Sequence, residues 1–238
     1  MINFLILTTG YKCEDTIQRC VESVDEQSYK YWHHLICLDN VGYKDDIEFL
    51  EDRTFIGSAA RKGKMFNFAK AMLMVHNLSS PCSWIVIDLD ADDYLEPNAL
   101  EILAEIYQDP NIWATHGSYR MLSGRKARFN GEYKNDNFRV QKFLGTHLKS
   151  FRAPLFYKIK PKDFKGRDGK WLMTASDLAI MFPILEMSGL DRIKYVPDVI
   201  YNYNDLSDLN DHKVDPEGQK RIEKIIRKRP RYKRLESL

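Results

Sequence analysis

A short apolar run that ends in a cluster of carboxylates constrains this chain more than any other feature. Trp84-Ile85-Val86-Ile87 leads directly into Asp88-Leu89-Asp90-Ala91-Asp92-Asp93-Tyr94. The apolar part reads as a buried strand, and a strand buried on both faces belongs in a sheet covered by helices on both sides. Alternate residues of an extended chain point to one side, so Asp88, Asp90 and Asp92 are expected to share a face and Asp93 to turn away. So much negative charge in so short a run is unfavourable unless a cation or a cationic substrate lies among the carboxylates. Ligands of α/β proteins bind where strands end and loops begin. The run is therefore read as a divalent-metal site that holds a phosphorylated substrate.

The rest of the chain alternates strand and helix. Residues 2–8 read as a strand, and Asp15 followed by Gln18 as a helix start of the capping-box type. Ile17, Cys20, Val21 and Val24 then recur at helical spacing. A second strand is expected at 34–39, a helix at 64–77, the aspartate-bearing strand at 84–89, and a further strand from Tyr195 to Tyr203. Pro97 fits the first turn of a helix whose Leu100, Leu103, Ile106 and Tyr107 form one apolar face. This order implies an α/β fold with a Rossmann-like, mostly parallel sheet flanked by helices. The second half is less regular, with Gly117, Gly124, Gly131 and Gly145 spaced through polar and aromatic residues.

A chain of 238 residues is long enough for one large domain with a substantial core. We expect a globular unit at 1–215, with halves at about 1–110 and 111–215, and a basic tail at 216–238. Hydrophobic residues make up 44% and charged residues 29%, as in ordinary soluble proteins, and no apolar run approaches the length of a transmembrane helix. The N-terminal residues lack the basic region and cleavage site of a signal peptide and read as a first core strand. Cys13, Cys20, Cys37 and Cys82 form no Cys-x-x-Cys pair, which favours reduced thiols and the cytoplasm. The net charge of +2 hides an asymmetry: nine basic residues face Glu223 alone between Lys220 and Arg234. Ile222, Ile225 and Ile226 recur there at helical spacing. Such a helix can rest on an anionic membrane surface, at the inner face of a membrane, or pack its isoleucines on the domain.

Three chemistries use aspartates at this spacing. A calcium loop of the EF-hand kind needs Gly at its sixth position and Glu at its twelfth, where this chain has Asp93 and Ala99. A phosphatase of the haloacid dehalogenase type resembles Asp88-Leu89-Asp90 but expects Thr or Val where Asp92 stands. The third is a sugar-nucleotide-dependent transferase, in which Asp-x-Asp grips a metal bound to a diphosphate. A solvated acidic turn that caps the next helix is the plain structural alternative.

The order of motifs resembles family 2 of the glycosyltransferases, which have the A-type glycosyltransferase (GT-A) fold. Ile6-Leu7-Thr8-Thr9-Gly10-Tyr11 is similar to the family's opening strand and nucleotide loop, with Thr9 and Lys12 where the family has Pro and Asn. Glu22-Ser23-Val24-Asp25-Glu26-Gln27-Ser28-Tyr29 resembles the close of its first helix. Leu38-Asp39-Asn40 stands at its nucleotide-reading aspartates, and Gly63-Lys64-x-x-Asn67 beside its diphosphate. Asp90-Ala91-Asp92-Asp93-Tyr94-Leu95-x-Pro97 is close to its strongest signature. Ser176-Asp177 resembles its Glu-Asp pair, with Ser in place of Glu.

The resemblance implies inverting transfer of one sugar from a nucleotide diphosphate sugar to a hydroxyl of a glycan or lipid-linked acceptor. Mn²⁺ or Mg²⁺ would stabilise the leaving diphosphate, with Asp92 as direct ligand, Asp90 on the ribose or a metal-bound water, and His212 as a late ligand. Asp177 would be the base, at a helix start capped by Thr174 or Ser176, where the helix N-terminus favours the ionised carboxylate. Thr8, Thr9, Tyr11, Asp39, Lys64, Asn67 and Asp90 would bind the donor, and a Tyr11–Asp39 pairing suits uracil, so UDP is favoured over GDP or dTDP. His116 and His147 are candidates for the acceptor side. Trp171 and Tyr119 suit either sugar stacking or core packing.

The Gln-x-x-Arg-Trp signature of membrane-embedded synthases is absent, which favours addition of a single sugar. Two other classes compete. A sugar-phosphate nucleotidyltransferase would need a Gly-rich basic loop after the first strand, where Thr8-Thr9-Gly10-Tyr11-Lys12 offers one glycine. A nucleic-acid-binding protein using the basic tail would need a reading module, and none is evident, so no nucleic-acid partner is expected.

Overall fold

The computed structural model describes residues 1–39, 47–49, 51–78, 84–127 and 130–238, with backbone alone at 47–49, 77, 78, 211 and 212. The strands are β1 (Asn3–Tyr11), β2 (Trp32–Asp39), β3 (Ile47–Phe49), β4 (Arg53–Ser58), β5 (Trp84–Asp90), β6 (Tyr94–Leu95), β7 (Ala114–Met121), β8 (Ser150–Arg152) and β9 (Ile193–Tyr203). The helices are α1 (Ile17–Asp25), α2 (Lys64–Leu78), α3 (Ala99–Ile106), α4 (Pro154–Tyr157), α5 (Ser176–Ser188), α6 (Asp211–Val214) and α7 (Pro216–Arg227). The strands form one sheet in the order β3-β4-β2-β1-β5-β8-β7-β9-β6.

The expected parallel sheet is present. β1 runs parallel to β2 and β5, and β4 runs parallel to β2, so the C-terminal ends of β1, β2 and β5 meet at one edge. There Thr9 lies beside Asp90, and Tyr11 beside Asp39. The irregular second half adds β7, β8 and β9 to the same sheet. β8 joins it antiparallel to β5 and β7, while β9 runs parallel to β7.

Strand alternation divides the core into two layers. Leu5 and Leu7 of β1 pack with α2, α5 and Ile226 of α7, whereas Phe4 and Ile6 pack with α1 and α3. Val86 of β5 faces the first layer, and Ile85, Ile87 and Leu89 face the second. Asp88 and Asp90 share the parity of Val86, so β5 presents both carboxylates to the side of α2 and α5.

Local details depart from the sequence reading. The Asp15–Gln18 capping box does not form. Thr16 is the cap residue, and its hydroxyl ties the helix start to Cys13 O and Ala91 O. Gln18 instead donates to Glu22. Pro97 precedes Asn98, the cap of α3, and so lies outside the first turn. Neither Thr174 nor Ser176 caps α5; the cap position is Ala175, in left-handed backbone at φ 55°. Cys13, Cys20 and Cys37 are free and buried, and Cys82 lies outside the described residues. Among the described residues no helix is long and apolar enough to cross a membrane.

The basic tail packs on the domain. Asp215 caps α7 by accepting from the N–H of Gly218 at 2.8 Å; a Cβ at Gly218 would lie 1.8 Å from that carboxylate and displace it from the cap. Ile226 is fully buried in the α2–α5 layer, and Ile222, Tyr232 and Leu235 pack against it. Two of the three isoleucines of that face, Ile222 and Ile226, are thus packed on the domain, while Ile225 stays half-buried. Arg139 and Glu186 lock this join with a buried two-pronged ion pair at 2.7 and 2.9 Å. Arg139 also donates to Ile226 O at 2.6 Å, and Glu186 accepts from Tyr232 N at 3.0 Å. Glu186→Ala should leave a buried guanidinium without its carboxylate and lower the unfolding free energy by about 3–5 kcal/mol, read from denaturant midpoints. A loss under about 1 kcal/mol would mean that the pair does not hold the tail.

Candidate active site

The C-terminal edge of β1, β2 and β5 opens into a cleft of about 290 Å³. Thr9, Tyr11, Asp39, Lys64, Asn67, Asp90, Asp92 and Asp177 all line it. Thr8 does not reach it: strand alternation turns its side chain into the core, where the hydroxyl meets His34 Nε2 at 2.8 Å. The side chain of His212 lies outside the described residues. His147 lines the cleft. His116 is buried at 1% exposure, packed on Tyr133 and Tyr195. Tyr119 is likewise buried, and Trp171 packs edge-on against Phe66 at 5.4 Å.

Asp39 shapes the loop that leads into α2. Its carboxylate accepts the N–H groups of Lys62 and Gly63 at 2.8 and 2.7 Å and the side-chain amide of Asn67 at 2.9 Å. Gly63 takes φ +87°, which a side chain would strain, and a Cβ there would also press on Met173. The turn then begins α2 and aims Lys64 into the cleft. A carboxylate offers about four acceptor directions, and three on Asp39 are taken among the described residues. The ring of Tyr11 carries the Arg61 guanidinium at 4.3 Å, and Arg61 also lines the cleft.

A network of charges lies beneath. Lys64 Nζ stands 2.6 Å from Asp90, 3.1 Å from Asp88 and 3.4 Å from Asp177. Lys149 Nζ stands 3.2 Å from Asp88 and 3.1 Å from Asp177, and both Lys149 and Asp88 are 1% exposed. Burial pulls the Lys64 ammonium down, but Asp88, Asp90 and Asp177 outweigh it and hold Lys64 well above its usual range. Burial pushes Asp177 up, but Lys149 and Lys64 outweigh it and keep that carboxylate ionised well below its usual range. Asp177 also sits in the first turn of α5, where the helix N-terminus favours negative charge.

Asp93 does not turn away as expected: it lies past the end of β5, in a turn closed by its N–H on Asp90 O, and its carboxylate comes back toward Asp90 and His147. It is fully buried, accepting from Tyr201 Oη at 2.5 Å and from Asn204 N at 2.6 Å, which ties β9 to the aspartate turn. Asp92 faces the cleft, where burial and then Asp90 push its carboxyl up to about 6. His147 is stacked on Tyr201 at 4.5 Å and on Tyr203 at 5.4 Å, and its Nδ1 has no hydrogen-bond partner among the described residues. Ligand atoms of Asp90, Asp93 and His147 lie within 4.8 Å of one another. The carboxylate oxygens suit Mn²⁺ or Mg²⁺, and the His147 nitrogen beside repelling carboxylates could add a donor to such a cation.

Lys149 and Arg61 are the residues that sequence reading missed. Arg61 precedes the Gly63-Lys64 motif and could have been found by its proximity. Lys149 gives no signal, because its partners come from distant strands and helices. Lys149→Met should remove one of the two counter-cations of Asp177. Catalytic turnover should fall by at least about tenfold, with melting temperature reduced. Ligand affinity of the cleft should stay near wild type, since Lys149 does not line it; Lys149→Arg should recover part of the rate. Equal losses of ligand binding and turnover would show a merely collapsed site.

The chain matches the model of glycosyl transferase family 2 over residues 5–158. No curated protein matches it. Among solved structures, Staphylococcus aureus TarS superposes with a TM-score of 0.64 at 15% identity, covering 94% of this chain and 39% of that one. TarS 1-349 in complex with UDP-GlcNAc gives 0.58 at 12% identity, covering 85% and 58%. The mannosyltransferase PcManGT from Pyrobaculum calidifontis in complex with GDP-Man and Mn²⁺ gives 0.54 at 14% identity, covering 84% and 56%. The chain thus spans less than two thirds of each of these structures, and at such identities they share its fold. Given the match over well over half of its length, the chain belongs to glycosyl transferase family 2.

Proposed function

We propose that this protein transfers a single sugar, with inversion, from a nucleotide diphosphate sugar to a hydroxyl of a glycan or lipid-linked acceptor. The observation that carries the reading is the convergence of Asp90, Asp92 and Asp177 on one cleft, with Lys64 bridging two of them. Family membership and the UDP, UDP-GlcNAc and GDP-Man bound by the structural neighbours support a nucleotide-sugar donor. A UDP-sugar is favoured, with its base against Tyr11 and its imide N–H on the Asp39 carboxylate.

The diphosphate belongs beside Lys64, at the end of β5. Asp90 and Asp92 would hold Mn²⁺ or Mg²⁺ there, with His147 as a further donor; Asp93 already serves Tyr201 and Asn204. Such a cation, when bound, neutralises charge that gathers on the leaving diphosphate. Asp177 takes the proton from the attacking hydroxyl on the face opposite the leaving group. In the ligand-free cleft two ammonium groups make it a weak base. An arriving diphosphate draws Lys64 away from Asp177, leaving Lys149 as its partner and raising its basicity when it is needed. Placement in the cytoplasm is supported by the free thiols of Cys13, Cys20 and Cys37. Because α7 packs Ile222 and Ile226 on the domain, insertion of the tail into a membrane is not part of this proposal.

A nucleotidyltransferase reading finds no support in the loop after β1. Gly10 lies within β1 itself and serves packing, since a Cβ would lie 2.6 Å from both Ala91 Cβ and Cys13 Sγ.

Asp177→Asn should keep nucleotide affinity but lose transfer by about 10²-fold or more; wild-type turnover would remove Asp177 from the mechanism. Chelation by EDTA, or Asp92→Ala, should abolish donor turnover while the melting curve stays close to wild type. Because Asp92 carries a proton below about pH 6, Mn²⁺-dependent nucleotide affinity should weaken about tenfold per pH unit below that point. Calorimetric titrations across this range check it, and an affinity flat with pH would exclude Asp92 as ligand.

A further inference from the structure

A second, larger cavity of about 930 Å³ lies away from the catalytic cleft. One wall is the segment 158–167 and the other the tail after α7, and basic residues dominate both. Lys158, Lys162 and Arg167 on the first wall and Lys228 and Lys233 on the second have no carboxylate within 4.0 Å among the described residues. Asp163 is the single acidic residue of the lining, and it is engaged by the Tyr232 hydroxyl at 2.6 Å. Met187, Ile225 and Leu235 contribute apolar surface between the walls.

The walls are pinned to each other. Tyr232 Oη accepts from Lys160 N at 2.8 Å, and the Arg229 guanidinium donates to Asp163 O and Lys165 O. The arginines of the tail are mostly engaged in this way: Arg227 with Glu223, Arg231 with Asp136 O, and Arg234 with Asp191. The lysines are left facing solvent. A rigid groove with uncompensated cations on both walls carries like-charge repulsion that a bound anion relieves.

We propose that this groove binds a linear polyanion, a flexible chain that repeats phosphate or carboxylate groups along its length, and that the chain is an acidic glycan acceptor. Its concavity places charge on two sides of a chain, whereas a flat bilayer would meet only the rim. Ammonium groups on flexible stems suit spaced, orientation-tolerant charges better than one bidentate anion site would. Stacking platforms for bases are lacking, since the Tyr232 ring is covered by the Lys160 ammonium at 5.7 Å. Only the role of the chain as acceptor rests on the transfer reading above; its binding does not.

The test measures binding of linear inorganic polyphosphate and of polygalacturonate to the full chain without donor, by fluorescence anisotropy. Both should bind at low salt and dissociate at high salt. Lys158→Glu combined with Lys228→Glu, one reversal on each wall, should weaken both by about tenfold or more. The same variant should bind UDP as the wild type does, which shows an intact fold and an intact catalytic cleft. The proposal is overturned if the variant binds the chains as tightly as wild type. It is also overturned if orthophosphate at equal phosphate concentration competes as well as the chain, or if phosphatidylglycerol vesicles or a single-stranded oligonucleotide bind while polygalacturonate does not. Chain binding that survives alongside failed sugar transfer would refute the transfer reading and leave the groove in place.

Discussion

The site depends on a buried alternation of charge: Asp90, Lys64, Asp88, Lys149 and Asp177, each within 3.4 Å of the next. A buried carboxylate or ammonium alone is strongly unfavourable, and pairing makes it tolerable only when the geometry is fixed. These groups come from β5, from the start of α2, from the chain entering β8 and from the start of α5. Fixing them therefore fixes how those elements meet. The network holds Asp177 ionised and aims Lys64 at the end of β5, so the same contacts that order the fold also set up the chemistry.

Much of this was legible before the structure. The parity of β5 placed Asp88 and Asp90 on one face, because a strand has a period of two; Asp93 lies past the strand's end, where a turn brings its carboxylate back near Asp90 and His147. The same rule, applied to β1, would have turned Thr8 away from the ligand while Thr9 faced it. The resemblance had carried both residues over together. The helix boundaries at Lys64 and Ser176 were close, yet their caps were not, because caps depend on tertiary partners. Thr16, for instance, bonds to Ala91 across the molecule.

What the sequence hid was long-range pairing. Lys149 looks like any strand-edge lysine until Asp88 and Asp177 are folded around it. The tail posed the opposite problem. Its basic and apolar pattern was plain, but two destinations for the isoleucines fitted that pattern equally well. The Arg139–Glu186 pair, formed between residues with no sequence signal, holds the tail against α5 with Ile222 and Ile226 packed on the domain.

The parity of β5 has a consequence for how such a chain can vary in length. A single residue inserted or deleted between Val86 and Asp88 would rotate the carboxylates into the α1–α3 layer, where Ile87 and Leu89 now pack. A two-residue change would restore the face but slide Asp90 about 7 Å along the strand, beyond the reach of the Lys64 ammonium. Length changes are thus excluded from the one strand that carries the acids. The loops around the cleft are free of that restriction, and variation in donor and acceptor preference can accumulate in them.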